Sequence, residues 1–263
     1  MRARAAGSLS TLLLVGACTS APPAGTPGPQ ADARARKMIA AVNGDAWAQT
    51  GAARWVFRGA NRHLWDRRRG FSRVRWDEHE VLFAIDAREG VAFSGGERVD
   101  EERARELLDE AHAKWTNDAF WLNPVTKAFD PGTVREIVPP SDGRPGLLVR
   151  YRSGGRTPGD AYLWWLDPDG SGRPVAWQMW TSNIPIGGVE ASWEGWETLA
   201  TGARVATKHE MPLFTLELRD VAGAETLDAL DLAGEGARTE TAPAADPFAP
   251  LVRCREAGAC VSF

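Results

Sequence analysis

The sequence contains few of the residues, and none of the short motifs, by which enzyme sites are usually recognised. Its four histidines are scattered along 263 residues, at His63, His79, His112 and His209. The chain has no Gly-x-Ser-x-Gly nucleophile elbow, no His-Glu-x-x-His zinc motif and no phosphate-binding loop. A site assembled from distant positions would leave no such signature, but these absences favour a protein that is not an enzyme and that uses no metal or cofactor.

The sequence also lacks an excess of positive charge and an apolar segment of membrane-spanning length. Its 31 basic and 35 acidic side chains give a formal net charge of −4, which gives no reason to expect nucleic-acid binding as the main function. The apolar run Leu9–Val15 is too short to cross a bilayer. With 43% hydrophobic and 25% charged residues, the composition is that of a globular chain with one large or two small domains.

The first residues have the pattern of a bacterial lipoprotein signal. Arg2 and Arg4 precede the short apolar run, which ends in Val15-Gly16-Ala17-Cys18. This ending resembles the lipobox of bacterial lipoproteins, in which an aliphatic residue and small residues precede a cysteine. The resemblance implies a signal peptide over residues 1–17, cleavage before Cys18, and a diacylglyceryl group and an N-acyl chain such as palmitate on that residue. The alternative is an ordinary secretory signal with a chance cysteine.

Lipidation at Cys18 predicts where the protein resides. Several acyl chains anchor a protein stably, whereas one chain alone is marginal. The residue after the lipobox cysteine is the sorting signal in such proteins, and here it is Thr19 rather than aspartate. We therefore predict a protein anchored in the outer membrane that faces the periplasm. Residues 18–30, rich in proline, glycine and small side chains, are predicted to be an extended tether.

The two remaining cysteines, Cys254 and Cys260, lie six positions apart near the end of the chain. An exported protein meets an oxidising compartment, which favours a structural disulfide between them. A metal site is the alternative, but no histidine lies nearby, and a redox site would more usually have the spacing Cys-x-x-Cys. We predict a disulfide within a C-terminal tail of residues 223–263. In that tail we expect a short helix at 225–232 and a loose segment at 234–250.

The central stretch of the chain, Asp160–Ser182, is predicted to be a β-hairpin. Two runs of alternating apolar residues flank Asp-Pro-Asp-Gly-Ser-Gly, which is dense in turn-forming residues. Tyr162, Trp164 and Leu166 share one face of the first strand. The opposite face is apolar as well, with Leu163 and Trp165, where a half-exposed strand would carry polar side chains. Both faces are therefore either covered or line a cavity.

The elements before this hairpin follow a recognisable order. An amphipathic helix is predicted at residues 31–47, then a meander of short strands, then a helix capped by Asp100 at residues 100–115. The strands of the meander are predicted at residues 54–58, 63–66, 71–76, 80–86 and 90–93. After that helix comes Trp115–Gly132, WTNDAFWLNPVTKAFDPG, followed by further strands, one of them at residues 188–199. We therefore expect one mainly antiparallel β-domain over residues 31–222.

This order of elements, together with the Trp115–Gly132 segment, resembles the lipoprotein-carrier superfamily of bacterial envelopes, the LolA- and LolB-like proteins. The resemblance implies an α+β fold that is mainly β, a strongly curved antiparallel sheet or incomplete barrel with helices packed on or plugging its concave face. Members of this superfamily bind acyl chains or hydrophobic partners in that concavity. The implied function is non-enzymatic binding of a lipid, an acyl chain or a lipoprotein, and a barrel mouth with an apolar lining is a common ligand site.

The candidate lining is aromatic, since the chain has twelve tryptophans against two tyrosines. These side chains could equally fill the core of the sheet, because aromatic residues dominate core burial. The alternative function is therefore an envelope assembly or interaction protein with a filled sheet that acts through its surface. The inward-facing candidates for ligand lining are Trp55, Phe57, Trp164, Leu166, Trp177, Met179 and Trp193.

Eight arginines lie between positions 54 and 75, in the region of the predicted meander. They form either a basic strip that meets anionic lipids or an acidic partner, or the solvated outer face of amphipathic strands. The second interpretation is favoured. The arginines are Arg54, Arg58, Arg62, Arg67, Arg68, Arg69, Arg73 and Arg75.

Overall fold

A computed structural model describes residues 21–153, 159–182, 186–232 and 246–263 of the chain. Within these ranges every strand pairing is antiparallel. The predicted fold class is confirmed, because antiparallel strands dominate and a few helices pack on them. No helix in the described ranges is both long and apolar enough to cross a membrane.

Eight strands precede the central hairpin and its neighbours. They come mostly from short runs in which apolar and polar residues alternate, with tight turns between them. Their bounds are β1 Thr26–Pro27, β2 Ala52–Phe57, β3 Asn61–Asp66, β4 Phe71–Trp76, β5 His79–Ala84, β6 Glu89–Ser94, β7 Glu97–Arg98 and β8 Thr133–Ser141.

Eight further strands lie in the described part of the second half. The bounds are β9 Arg144–Tyr151, β10 Ala161–Leu166, β11 Pro174–Trp180, β12 Val189–Ser192, β13 Glu194–Thr198, β14 Arg204–Glu210, β15 Thr215–Ala224 and β16 Val261–Ser262. The predicted central hairpin is β10 and β11, paired with Trp164 opposite Trp177 and Tyr162 opposite Met179.

The first predicted helix is broken in two, α1 (Pro29–Ala41) and α2 (Gly44–Gln49). The break falls at Asn43, which has a left-handed backbone with φ 54°. Asparagine tolerates this conformation better than most residues, so Asn43-Gly44 stops one helix and lets the chain turn into the next.

The second predicted helix is confirmed but is longer than expected. Helix α3 runs over Glu101–Leu122 and takes in the aromatic segment that we expected to follow it. The side chain of Asp100 accepts a hydrogen bond from the backbone N–H of Arg103 at 3.0 Å, which is the predicted N-cap. Pro124 begins a turn of 3₁₀-helix, Pro124–Lys127, just beyond the end of α3.

The strands form two sheets that the chain joins at Trp193. One sheet has the order β1-β8-β9-β10-β11-β12, and the other has the order β13-β14-β15-β2-β3-β4-β5-β6-β16, with β7 also paired to β6. Strand β12 ends the first sheet and β13 begins the second, with only Trp193 between them. The predicted strand at residues 188–199 is therefore two strands in two sheets.

One face of both sheets surrounds a single buried cluster, which we call the concave cluster. Residues from β9, β10, β11, β14, β15 and β2 contribute to it, so the two sheets curve around the same interior. Helix α1 contributes Ala31, Ala35 and Met38, and the end of α3 contributes Trp121 and Leu122. We call α1, α2 and residues 115–128 the cover, because they close the interior on the side away from the sheets.

The opposite face of the second sheet is covered by the C-terminal segment, residues 225–232 and 246–263. Helix α4 (Ala249–Glu256) buries Leu251 and Cys254 there, beside Leu64 and Leu82 of the sheet. The predicted short helix at 225–232 is wrong, since these residues form bends and turns. The predicted loose segment at 234–250 lies largely outside the described residues, but its last residues begin α4.

Several arginines of the predicted basic strip hold this C-terminal segment in place. Arg69 donates to both carboxylate oxygens of Asp246, at 2.6 and 2.9 Å. The Nε of Arg68 donates to the backbone carbonyl of Glu225 at 2.6 Å. Arg73 is buried, with 4% of its surface exposed. Part of the strip therefore serves intramolecular contacts, which neither of the two interpretations included.

The tether predicted at residues 18–30 is docked over its second half. Strand β1 pairs with β8, and α1 begins at Pro29. The backbone carbonyl of Pro23 also accepts a hydrogen bond from Arg150 at 2.9 Å. Cys18 lies outside the described residues, so its lipidation stays a prediction.

Candidate functional site

The structure brings the seven lining candidates together in the concave cluster. They lie on β2, β10, β11 and the link between the two sheets, and each is buried, with 0–5% of its surface exposed. Their inward orientation agrees with the alternation in the sequence, while their contact with a ligand stays a prediction. These residues are Trp55, Phe57, Trp164, Leu166, Trp177, Met179 and Trp193.

Three indoles form the centre of this cluster. The ring centroids of Trp164 and Trp177 are 4.8 Å apart, those of Trp177 and Trp193 are 5.1 Å apart, and those of Trp164 and Trp193 are 5.0 Å apart. Trp164 and Trp177 face each other across the hairpin, and the switch of sheets brings Trp193 against both. We call these three side chains, Trp164, Trp177 and Trp193, the aromatic floor.

The cover lies directly on this floor. The ring centroids of Trp121 and Trp177 are 4.9 Å apart, and those of Phe120 and Trp177 are 6.0 Å apart. Phe120 also contacts Tyr162, at 5.1 Å. Both aromatic residues of the cover belong to the last turn of α3. This turn therefore separates the floor from the molecular surface.

The interior of the site is polar at isolated points. Five nitrogen atoms in or beside the cluster are buried and have no hydrogen-bond partner among the described residues. An unpaired buried donor or acceptor costs about 1–3 kcal/mol, so each one in a native fold requires an explanation. They are Nε1 of Trp55, Trp177 and Trp193, Nδ1 of His63 and Nε2 of His209.

His209 lies on β14 with its ring close to two tryptophans. Its ring centroid is 4.4 Å from that of Trp193 and 5.1 Å from that of Trp121. Its Nδ1 is 2.9 Å from the backbone carbonyl oxygen of Ser192, which can only accept. Burial lowers the pKa of His209 from 6.5 to about 4, so the ring is neutral at neutral pH with its hydrogen on Nδ1.

His63 and Asp118 form a second polar group beneath α3. The Nε2 of His63 is 2.7 Å from Oδ2 of Asp118, and Nδ2 of Asn61 donates to the same oxygen at 2.8 Å. Asn117 donates to the other carboxylate oxygen at 2.9 Å. The ring of Trp55 stacks on His63 with centroids 4.5 Å apart. Asp118 therefore fixes the final turns of α3 onto the sheet.

Sequence reasoning did not single out His209, His63, Asp118 or Trp121. The histidines were set aside as scattered, and Asp118 and Trp121 belonged to a segment noted only for its resemblance. One signal for His63 was present, because it lies in a strand predicted to pair beside the strand of Trp55. The sequence carried no such signal for His209, since its partner Ser192 is 17 positions away.

Two surface cavities lie away from the seven candidates. One, of about 490 Å³, is lined by residues of β6, the start of α3 and the C-terminal strand, Arg98 and Val261 among them. The other, of about 440 Å³, lies between α1, the start of α2 and Phe129. In the described ranges no group of three or more His, Cys, Asp or Glu side chains could hold a metal ion.

The structure bonds Cys254 to Cys260, with their Cα atoms 5.1 Å apart. Cys254 is buried against the outer face of the sheet, and Cys260 immediately precedes β16, which pairs with β6. The disulfide therefore holds together the two places where the C-terminal segment touches the sheet, far from the concave cluster.

No protein-family profile and no curated protein sequence matches the chain. The solved structures that resemble its fold include the following two. One is a candidate outer membrane lipoprotein-sorting protein domain from Vibrio parahaemolyticus, with 8% identity and a TM-score of 0.36, covering 72% of this chain and 93% of that chain. The other is a DUF1329 family protein from Desulfovibrio piger, with 10% identity and a TM-score of 0.41, covering 79% and 96%. At such low identities and TM-scores, neither likeness carries an argument about what this chain binds.

Proposed function

We propose that the protein is an envelope lipoprotein that binds a hydrophobic ligand, a lipid, an acyl chain or a lipoprotein, in the concavity of its sheet. Binding involves no chemical conversion of the ligand. The observation that carries the proposal is the set of five unpaired buried nitrogens inside an otherwise apolar aromatic interior. A core built only for stability is more stable with apolar side chains at such positions, because each unpaired polar atom is costly.

The ligand reaches this interior when the cover moves. All seven candidates are buried beneath the cover, so a bound chain must displace part of it. The last turn of α3 is the part in direct contact with the aromatic floor, through Phe120 and Trp121. An acyl chain presents the same kind of surface as these side chains, so it can take their place on Trp177 and Tyr162.

The anchor places the domain close to the membrane. Between the lipidation site at Cys18 and the docked residue Pro23, an extended chain spans at most roughly 18 Å. The folded domain therefore remains within a few tens of ångströms of the bilayer from which a lipid or a lipoprotein would be taken. This geometry supports a location on the periplasmic side of the outer membrane.

The proposal is tested by photolabelling with a neutral lipid that carries a diazirine in its acyl chain. Strand β10 contains its own control, since Tyr162, Trp164 and Leu166 belong to the concave cluster while Leu163 and Trp165 lie on the opposite face. We expect saturable labelling of the first three residues and of Trp177, mapped by mass spectrometry of peptides. Equal labelling of both faces, or labelling that does not saturate, would contradict binding in the concavity.

A second function is favoured by a different observation. All seven candidates have 0–5% of their surface exposed, as in a filled core, and neither surface cavity described above touches them. The alternative is therefore an envelope assembly protein that acts through its surface. It predicts a protein partner that remains bound through purification, together with no saturable label on β10.

A further inference from the structure

The two ring nitrogens of His209 have different surroundings. Because the carbonyl oxygen of Ser192 only accepts, Nδ1 carries the hydrogen and donates to it at 2.9 Å. Nε2 is then a lone-pair acceptor, and it is buried with no partner of hydrogen-bond geometry among the described residues. The backbone carbonyl of Ala206 also lies near the ring, but a carbonyl cannot donate to this lone pair. No part of the His209 side chain is exposed to solvent. The fold thus fixes one tautomer and presents a hydrogen-bond acceptor to an aromatic interior.

Two unpaired donors belong to the same ring cluster. The indole of Trp193 is in contact with His209, at 4.4 Å between centroids, and that of Trp177 is 5.1 Å from Trp193. The Nε1 atoms of both tryptophans are buried without a partner. An indole N–H can only donate. The cluster therefore combines one acceptor with two donors among otherwise apolar atoms.

We propose that His209, Trp177 and Trp193 form a binding site for a neutral hydroxyl group carried on an alkyl chain. The hydroxyl hydrogen is donated to Nε2 of His209, and the hydroxyl oxygen accepts from the indole N–H groups. A carboxylate has no hydrogen for Nε2 and would introduce a buried charge. An ether or a plain alkane also lacks the hydrogen. The site deepens the proposed function, on which it rests, by naming the polar group of the ligand.

Trp121 packs against both His209 and Trp177, so the hydroxyl group enters when Trp121 moves away. Its ring centroid lies 5.1 Å from that of His209 and 4.9 Å from that of Trp177. Trp121 belongs to the last turn of α3, the part of the cover that an acyl chain displaces. Movement of this single turn therefore uncovers both the aromatic floor and the three unpaired nitrogens.

The test compares two isomers, 1-undecanol and decyl methyl ether, which have the same atoms and nearly the same length. Only the alcohol can donate a hydrogen bond. Each is titrated against the protein by displacement of an apolar fluorescent probe. We expect the alcohol to bind about tenfold more tightly, which corresponds to one buried hydrogen bond. In His209→Phe the two isomers should bind equally, and in Trp193→Phe the preference for the alcohol should shrink.

Trp165→Phe is the matched control. Its indole nitrogen is also buried and unpaired, but it lies on the opposite face of β10. We expect this variant to keep the full preference for the alcohol. Trp193→Phe keeps the test valid if His209→Phe does not fold, because it removes a donor and leaves an aromatic ring in place.

The outcomes separate the two proposals. Equal binding of the isomers by the unmodified protein would overturn the hydroxyl site and leave the carrier function standing. A preference for the alcohol that persists in both His209→Phe and Trp193→Phe would also overturn the site. If neither isomer displaces the probe and the probe itself does not bind saturably, the proposed carrier function fails, and the hydroxyl site fails with it.

Discussion

At the scale of single residues, the concave cluster contains buried polar atoms in two different states. Asp118 is satisfied by three neighbours, His63, Asn61 and Asn117, whereas Nε2 of His209 has no partner among the described residues. The carboxylate of Asp118 positions helix α3, whereas Nε2 of His209 is available to a ligand. Asp118 belongs to α3, and Trp121, whose ring lies 5.1 Å from that of His209, is three residues further along the same helix. The residue that holds the cover and the residue that covers the unsatisfied nitrogen are therefore close together in the chain.

Replacing Asp118 tests the first of these roles. In Asp118→Ala the ring of His63 loses the carboxylate while it remains buried, and we expect a loss of about 3 kcal/mol in the free energy of unfolding. The measurement is urea denaturation at neutral pH. Glu106→Ala on the same helix is the control, since its ion pair with Arg103 is exposed, and it should cost less than about 0.5 kcal/mol. Equal losses would contradict the role of Asp118.

His209 makes stability depend on pH. Its pKa is about 4 in the fold against 6.5 for an ordinary histidine, so the unfolded chain binds more protons between these values. Stability contributed by the neutral ring is therefore complete above pH 6.5 and is lost as the pH falls towards 4. We expect the unmodified protein to lose about 2 kcal/mol more than His209→Phe between pH 7 and pH 5. Parallel losses in urea denaturation would show that His209 is not buried as described.

At the scale of elements, alternation of apolar and polar residues predicted most strands, and β4 was predicted with its exact bounds, Phe71–Trp76. The central hairpin was predicted from its turn residues, and the structure forms it as β10 and β11. Strand β8 was missed because Pro139 and Pro140 interrupt its pattern. Helix α4 was missed because its apolar residues are few, and it forms where Phe248 and Leu251 pack on the outer face of the sheet.

Other elements depend on contacts between distant residues, which a sequence pattern does not display. The chain changes sheets at Trp193 because the backbone N–H of Trp193 still bonds to Val175 of the first sheet while Glu194 pairs with Lys208 of the second. The arginines from Arg67 to Arg69 looked like a solvated basic strip. Their partners lie in other elements, more than 150 positions away for Arg68 and Arg69.

The C-terminal segment provides a prediction at this scale. Arg69→Ala removes the two hydrogen bonds to Asp246, so we expect residues 246–263 to detach more often and to be cleaved several-fold faster by trypsin under native conditions. Arg62→Ala is the control, because its ion pair with Asp220 is long, at 3.9 Å, and exposed. Cleavage at equal rates in the two variants would contradict the role of Arg69 in docking the segment.

At the scale of the whole molecule, the sequence predicted the fold class and the inward orientation of the seven candidates. It could not predict whether the interior is filled, because that depends on how closely α1 and α3 approach the sheets. The chain places Trp121 between His209 and Trp177, from three elements that are far apart in sequence. Such convergence appears only once the sheets have curved around the cover.

The most direct test of the central claim is native mass spectrometry of the mature chain with Cys18→Ser, exported to a bacterial periplasm and purified without detergent. The carrier account predicts a reproducible extra mass that matches a lipid or an acyl chain, and its loss on competition with 1-undecanol. A bare mass, from a protein that also fails to take up added lipid, would contradict binding in the concavity and would favour the filled sheet that acts through its surface.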